Sequence, residues 1–264
     1  MPTPMEEYLF DLHGYTVIKG AINPDHLRAM NDFLDALPPL QIDQWYGNID
    51  VHTYKGIDGM NLQNIIEGGE IFERLIDHPA WIDLVRHYIG SHDRPFINEG
   101  FINIRGQGGY IGVHSGGHMS DSRNRTGRSK GEWCCCLLTL MVPLTDVGVG
   151  DGPTVLIPGS HKSDFPHPMQ KETAGISDGP GETVEGAMEA YLNAGDALLF
   201  NDCLCHGSAE RKNPGERRMI IFRYLPSMYA HRFAYVPSEE LLARLTPERR
   251  AIVQPITPRR PPMK

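Results

Sequence analysis

Gly148-Val149-Gly150-Asp151-Gly152-Pro153-Thr154-Val155-Leu156-Ile157-Pro158-Gly159-Ser160-His161-Lys162 sets a short apolar run between two stretches rich in turn residues. Glycine supplies backbone angles that tight turns need and proline fixes one of them, so the run at 154–158 reads as a strand. The pattern repeats outward. Residues 96–105, 109–114 and 132–144 before it form further runs of strand type, as do 187–193, 197–201 and 217–224 after it, with Gly195-Asp196 as another turn. Many short strands joined by glycine-rich turns imply a sandwich or barrel, and a jelly roll accommodates this number.

Upstream the period changes. Asn23-Pro24-Asp25 predicts a helix start, with an N-cap, proline at the first helical position and an acid in the first turn. Leu27, Met30, Phe33, Leu34 and Leu37 then share one apolar face. A second helix is expected over 79–88, stopping at Gly90, with Trp81, Leu84, Val85 and Tyr88 on its buried side. Residues 45–69 are polar and interrupted by glycine, and read as loops around a site. Residues 164–184 read as a surface excursion or lid, and the tail from Pro255 as extended chain. The expected architecture is mostly β with flanking α. It forms a single domain over 1–264, with a helical part at 1–95, a jelly-roll core at 96–225 and a C-terminal extension at 226–264.

Composition narrows the function. Of 264 residues 40% are hydrophobic, enough for a sizeable core. No run approaches 18 apolar residues and the start lacks a basic-then-apolar leader pattern, so no membrane association and a cytoplasmic location are expected. The five cysteines lack disulfide-like spacing and fit a reducing compartment. Cys203, Cys205 and His206 lie close together, but one intervening residue is too few for a structural zinc site. The net charge of −8 argues against binding polymeric nucleic acid. Against that charge, residues 123–130 carry Arg123, Arg125, Arg128 and Lys130 with no acid. They read either as a solvated loop or as a loop that pairs with an anionic small molecule.

The chemistry concentrates in His114-Ser115-Gly116, in His206, and in Arg217 eleven residues later. Two neutral imidazoles can hold iron(II) and leave positions open, and a permanent cation can hold a buried carboxylate. Arg218 and Arg223 are rivals to Arg217, with Arg218 expected on the opposite strand face and Arg223 on the same face farther along.

The segments 112–114, 155–162, 195–200 and 206–208, together with Arg217, resemble the phytanoyl-CoA dioxygenase family over roughly residues 95–225. The resemblance implies a double-stranded β-helix that uses iron(II), 2-oxoglutarate and O2. It implies His114 and His206 as metal ligands, and Arg217 with Ser208 around the far carboxylate of 2-oxoglutarate. One position departs from the family. The carboxylate ligand belongs two residues after the first histidine, and here that position is Gly116. In related halogenases this residue is Gly or Ala and chloride takes the vacated place, so a halogenase with chloride as a further cofactor is the leading expectation. Asp202, four residues before His206, or Asp121 could instead restore an ordinary hydroxylase, as could water at the open position. A non-catalytic binding module is a third alternative. His118 is a further ligand or substrate-shell candidate. For the substrate, the basic residues of 123–130 with Trp45, Tyr46 and Tyr54 as stacking partners fit an anionic metabolite, a nucleotide being one form. A free amino acid or an acyl group on a carrier protein are competing substrates.

Overall fold

The computed structural model describes residues 1–90, 94–115, 127–129, 132–170, 176–227 and 236–254. In chain order the helices are α1 (Pro4–His13), α2 (Pro24–Asp35), α3 (Glu70–Glu73), α4 (Ile82–Ile89), α5 (Glu239–Arg244) and α6 (Pro247–Val253). The strands of the first half are β1 (Tyr15–Ile18), β2 (Gln44–Tyr46), β3 (Ile49–His52), β4 (Met60–Gln63), β5 (Pro95–Arg105), β6 (Ile111–His114), β7 (Arg128–Ser129) and β8 (Glu132–Trp133). Those of the second half are β9 (Leu138–Pro143), β10 (Thr154–Leu156), β11 (Met188–Ala190), β12 (Ala197–Asn201), β13 (His206–Ser208) and β14 (Arg217–Pro226).

They assemble into an eight-stranded antiparallel sheet, β1-β12-β9-β14-β5-β4-β3-β2, and a four-stranded one, β11-β10-β13-β6, with β7 and β8 as a separate antiparallel pair. This is the jelly roll of a double-stranded β-helix. The large sheet separates two environments. On its outer face Ile97, Ile102 and Ile104 of β5 and Ile220, Phe222 and Tyr224 of β14 pack with Trp81, Val85 and Tyr88 from around α4 and with Met30 and Leu34 of α2. On its inner face Phe101, Asn103 and Arg105 of β5 and Arg217, Ile221 and Arg223 of β14 line a cavity shared with the small sheet. The two-residue period of a strand sends hydrophobic and functional side chains to opposite faces.

Asn23 caps α2 through its side chain, with Pro24 in the first turn. The helix at α1 starts in a capping box, in which the Thr3 side chain accepts from Glu6 N and the Glu6 carboxylate accepts from Thr3 N at 2.7 Å.

The region 45–69 differs from its reading as loops: β2, β3 and β4 extend the large sheet. Ile49 and Leu62 join the helix-packed apolar core, while Asp50, His52 and Gln63 alternate to the other face and line a cavity, leaving too few apolar residues for a strong signal. The part expected to be helical, 1–95, therefore supplies four strands. The run 132–144 is broken between β8 and β9, where Cys134 N donates to Gly127 O and Cys135 N to Tyr88 O. The short helices α5 and α6, capped by Ser238 and Thr246, occupy the C-terminal extension. Among the described residues no helix is long and apolar enough to cross a membrane.

Candidate active site

The antiparallel pairing of β6 with β13 places His114 directly opposite His206, with ring centroids 4.3 Å apart. Bare glycines permit this approach: a Cβ on Gly207 would lie 2.7 Å from the Ile111 carbonyl oxygen. The two imidazoles are held alike. His114 Nδ1 bonds the Gly112 carbonyl at 2.9 Å and His206 Nδ1 the Leu204 carbonyl at 2.7 Å. A carbonyl only accepts, so Nδ1 carries the proton and Nε2 presents its lone pair. Burial pushes the His114 imidazole down to about 3, helped by the nearby His206, and lowers His206 as well. Both rings are therefore neutral at physiological pH, the form that binds a metal.

The Pro-Gly-Ser-His-Lys turn supports this geometry. Ser160 Oγ accepts from Cys205 N at 2.8 Å and donates to Ile157 O, fixing the residue before His206. Lys162 Nζ pairs with Asp11 at 2.7 Å and ties the turn to α1. Cys205 donates its thiol to the Ser115 carbonyl, and burial raises the thiols of Cys203 and Cys205 away from the metal-binding thiolate form.

Gly116, His118 and Asp121 lie outside the described residues. Among the described residues no three His, Cys, Asp or Glu side chains already form a metal cage. Asp202 comes nearest to completing one. It is buried, its Oδ1 is 3.8 Å from His206 Nε2, and it accepts a hydrogen bond from Thr139 Oγ1 at 3.1 Å. Two donors each about 2.0–2.2 Å from one metal stand roughly 3–4 Å apart, so this spacing is compatible with a shared ion. Burial opposes ionisation of Asp202, but the adjacent His206 ring, the positive charge of Arg223 and the Thr139 hydrogen bond outweigh it, and the carboxyl lies below its ordinary range. Arg223 in turn forms a buried ion pair with Glu99, its cross-strand partner.

The far side of the cavity is cationic. Arg217 is fully buried, donates to the Gly152 carbonyl, and leaves its Nε without a partner. Opposite it in β5 stands Arg105, equally buried, which donates to Asp58 O and to Ser208 Oγ. Ser208 Oγ also accepts from Ile111 N at 2.9 Å. Burial lowers the Arg105 guanidinium to about 10 and depresses Arg217 too, the neighbouring Arg105 adding to the effect. Further buried polar atoms on the same wall, Asn61 Nδ2, Asn103 Oδ1 and Arg223 Nε, lack hydrogen-bond partners. Such orphaned groups fit a cavity shaped for a polar, anionic occupant. A keto acid with a remote carboxylate matches two guanidiniums and a hydroxyl at one end and metal-binding imidazoles at the other.

Of the arginines considered from sequence, Arg218 points away and pairs with Asp35 and Glu216, while Arg223 lines the cavity. Arg105, Asn103 and Glu99 join the site without a motif of their own. Their signal was available in the alternation of polar residues along a strand buried at every position. Tyr54 lines the cavity and Trp45 a neighbouring one, whereas Tyr46 gives its hydroxyl to the Pro39 carbonyl outside both. Arg128 lies over the Trp133 ring, 4.0 Å from Glu7, away from the residues lining either cavity. Arg123, Arg125 and Lys130 lie outside the described residues.

Residues 10–219 match the model of the family described as phytanoyl-CoA dioxygenase. The chain belongs to this family. Among curated relatives of this phytanoyl-CoA dioxygenase family member, the dioxygenase cdmD of Talaromyces verruculosus is 31% identical over 93 residues, 35% of this chain and 27% of that protein. The dioxygenase trt7 of Aspergillus terreus is 33% identical over 92 residues, 35% of this chain and 28% of that protein. Each alignment thus spans little more than a quarter of the relative. Among solved structures, HygX from Streptomyces hygroscopicus with nickel and 2-oxoglutarate bound superimposes with a TM-score of 0.71 at 20% identity, covering 87% of this chain and 89% of that one. The non-heme α-ketoglutarate-dependent epimerase SnoN, from nogalamycin biosynthesis, gives 0.59 at 16% identity, covering 83% and 81%. At these identities both structures speak to the shared fold.

Proposed function

We propose that this family member is an iron(II)/2-oxoglutarate-dependent oxygenase that oxidises a C–H bond of a small polar molecule, with His114, His206 and Asp202 as the protein ligands. The reading is carried by two in-register histidines whose Nδ1 atoms are committed to backbone carbonyls while both rings line one cavity. Bound there, iron(II) and 2-oxoglutarate supply oxidation by O2, with succinate and carbon dioxide as co-products.

The chain's residues do the positioning. The Gly112 and Leu204 carbonyls hold the imidazoles in one tautomer and orientation. Arg217, Arg105 and Ser208 receive the remote carboxylate, and pairing it with buried cations offsets its loss of water. Ile111, Met141, Phe101 and Ile221 line the same cavity and exclude bulk water. Arg223, held in place by Glu99, presents a permanent positive charge to Asp202 and favours its carboxylate form.

A second reading, halogenation, rests on Gly116. Glycine adds neither volume nor negative charge where the family places a ligand, so chloride has a place to bind. Titrating chloride into anaerobic protein loaded with iron(II) and 2-oxoglutarate separates the two. The oxygenase reading expects the visible charge-transfer band to stay unshifted. A saturable shift that disappears in Gly116→Asp would assign the position to chloride and make halogenation the function.

A further inference from the structure

A second cavity, of about 570 Å³, opens beyond the wall made by Tyr54, Glu99 and Arg223, and its size is that of a small-molecule site. Its floor is the polar face of the sheet extension. Trp45 stands opposite Asp50, Asp50 opposite Gln63, and Gln63 opposite Phe101, which lines the histidine cavity. A parallel row runs from His52 through Asn61 to Asn103, and both asparagines line the histidine cavity. The wall between the cavities is a hydrogen-bonded chain, Gln63 Nε2 to Tyr54 Oη at 3.4 Å and Tyr54 Oη to Glu99 Oε1 at 3.4 Å.

Two independent observations describe what this space accepts. The first is charge: among its described lining residues are Asp50, Glu67, Glu99 and Glu239, and no lysine or arginine. Glu99 already pairs with Arg223 and Glu67 accepts from Asn48 and Ser238, so Asp50 on the floor is the carboxylate that meets an occupant, with several acceptor positions. The second is Asn98. The register of β5 on β14 slips here, Arg223 facing Glu99 and Tyr224 facing Ile97, so Asn98 is the extra residue of a bulge. A bulge re-aims a side chain, and Asn98 lines the cavity beside Glu99. It is only 2% exposed, yet its Nδ2 has no hydrogen-bond partner. A buried orphan donor is unfavourable until a ligand supplies an acceptor.

An occupant that satisfies both brings donors and positive charge to the carboxylates and an acceptor oxygen to Asn98. Trp45, 62% exposed at the rim, adds an aromatic face for the carbon skeleton of a ring. We propose that this cavity is the substrate subsite and that it takes a polyhydroxylated, amine-bearing small molecule of aminosugar type. Its role as a substrate site rests on the oxygenase reading; its binding preference does not. Gln63 and Glu99 then line the bound ring's side of this wall and Tyr54 the histidine side. This charge preference is opposite to the anionic substrate anticipated from residues 123–130.

Glucosamine, glucose and glucuronate test it, being one ring in cationic, neutral and anionic form. Each is titrated into the full chain, with and without iron(II) and 2-oxoglutarate, and binding is read by saturation-transfer NMR and tryptophan fluorescence. Glucosamine is expected to bind about tenfold tighter than glucose, the size of one charge-assisted hydrogen bond, with glucuronate weakest. Asp50→Asn, at a partly exposed position, is expected to erase most of the glucosamine preference. Asn98→Ala is expected to weaken glucose and glucosamine alike. Equal or tighter binding of glucuronate, an unchanged preference in folded Asp50→Asn, or no binding of any of the three overturns the proposal. Because the sugar titration runs without iron, its failure beside a normal iron(II)–2-oxoglutarate band leaves the oxygenase reading intact. Sugar binding without that band does the reverse.

Discussion

Arg105 and Arg217 face each other across β5 and β14, both fully buried, and among the described residues neither makes an ion pair. Two buried like charges destabilise the cofactor-free fold, so the pair is held there at the expense of stability for an anion. Arg217→Met is expected to leave the melting temperature of the cofactor-free protein equal or higher. It should also weaken 2-oxoglutarate binding by roughly 10- to 100-fold, the loss of a charged hydrogen bond of about 1.5–3 kcal/mol. Arg105→Met should behave in the same direction. Thermal melts with and without 2-oxoglutarate read both effects, and an undiminished ligand-induced shift in both variants would remove these arginines from the cofactor site.

In the proposed centre, Asp202 makes the difference between two and three protein ligands. Asp202→Ala is expected to lower iron(II) affinity by more than about tenfold, as for other groups that fix a metal site, while circular dichroism stays native. Equilibrium dialysis against iron(II) provides the measurement. Wild-type affinity in the variant would place the carboxylate outside the coordination shell and strengthen the chloride reading of Gly116.

Gly207 sets how closely the histidine-bearing strands approach. A methyl group there would lie 2.7 Å from Ile111 O and 2.9 Å from Gly112 O, both backbone atoms that cannot swing aside. Gly207→Ala is expected to lower stability by about 1–3 kcal/mol and to reduce iron retention, because β13 must move away from β6. Full iron retention together with an unchanged melting temperature would show that the close approach is not required.

Away from the site, Asp196 closes the junction of β1 with the turn before β12. Its carboxylate accepts from Lys19 Nζ at 2.8 Å, Gly20 N at 2.9 Å and Asn193 N at 2.9 Å. Burial opposes its ionisation, but these bonds prevail and its folded pKa lies below the ordinary 3.8. A depressed carboxylate pKa adds stability that is present above the unfolded value and lost as pH falls through the folded one. Asp196→Asn is therefore expected to lower the melting temperature by about 4–8 °C at neutral pH, corresponding to about 2 kcal/mol. The gap between wild type and variant should narrow once the pH drops below 3.8. A gap constant down to pH 3 would assign the effect to packing instead.

Much of this organisation is legible in the sequence. The strands at 96–105, 197–201 and 217–224 are long or strongly apolar, and α2 announces itself through the Asn23 cap and a clean helical stripe. His114, His206 and Arg217 stand out because reactive side chains sit at fixed distances within such runs. Other elements leave little trace in the sequence. Strands β2 to β4 have three or four residues each and alternate polar side chains over a cavity, so no periodic signal builds up. Arg105 is the last residue of a long strand, and only the register against Arg217 gives it meaning. Asn98 depends on a bulge, and a one-residue slip in pairing leaves no mark in composition.

His114, His206 and the buried arginines are proposed to form one iron(II)/2-oxoglutarate site. The most direct measurement titrates 2-oxoglutarate into anaerobic, iron(II)-loaded protein and follows the visible charge-transfer band. The prediction is a saturable band in the wild type, no band in His206→Ala, and a band that appears only at far higher 2-oxoglutarate in Arg217→Met. Absence of the band in folded wild-type protein, or its persistence in His206→Ala, would contradict the assignment.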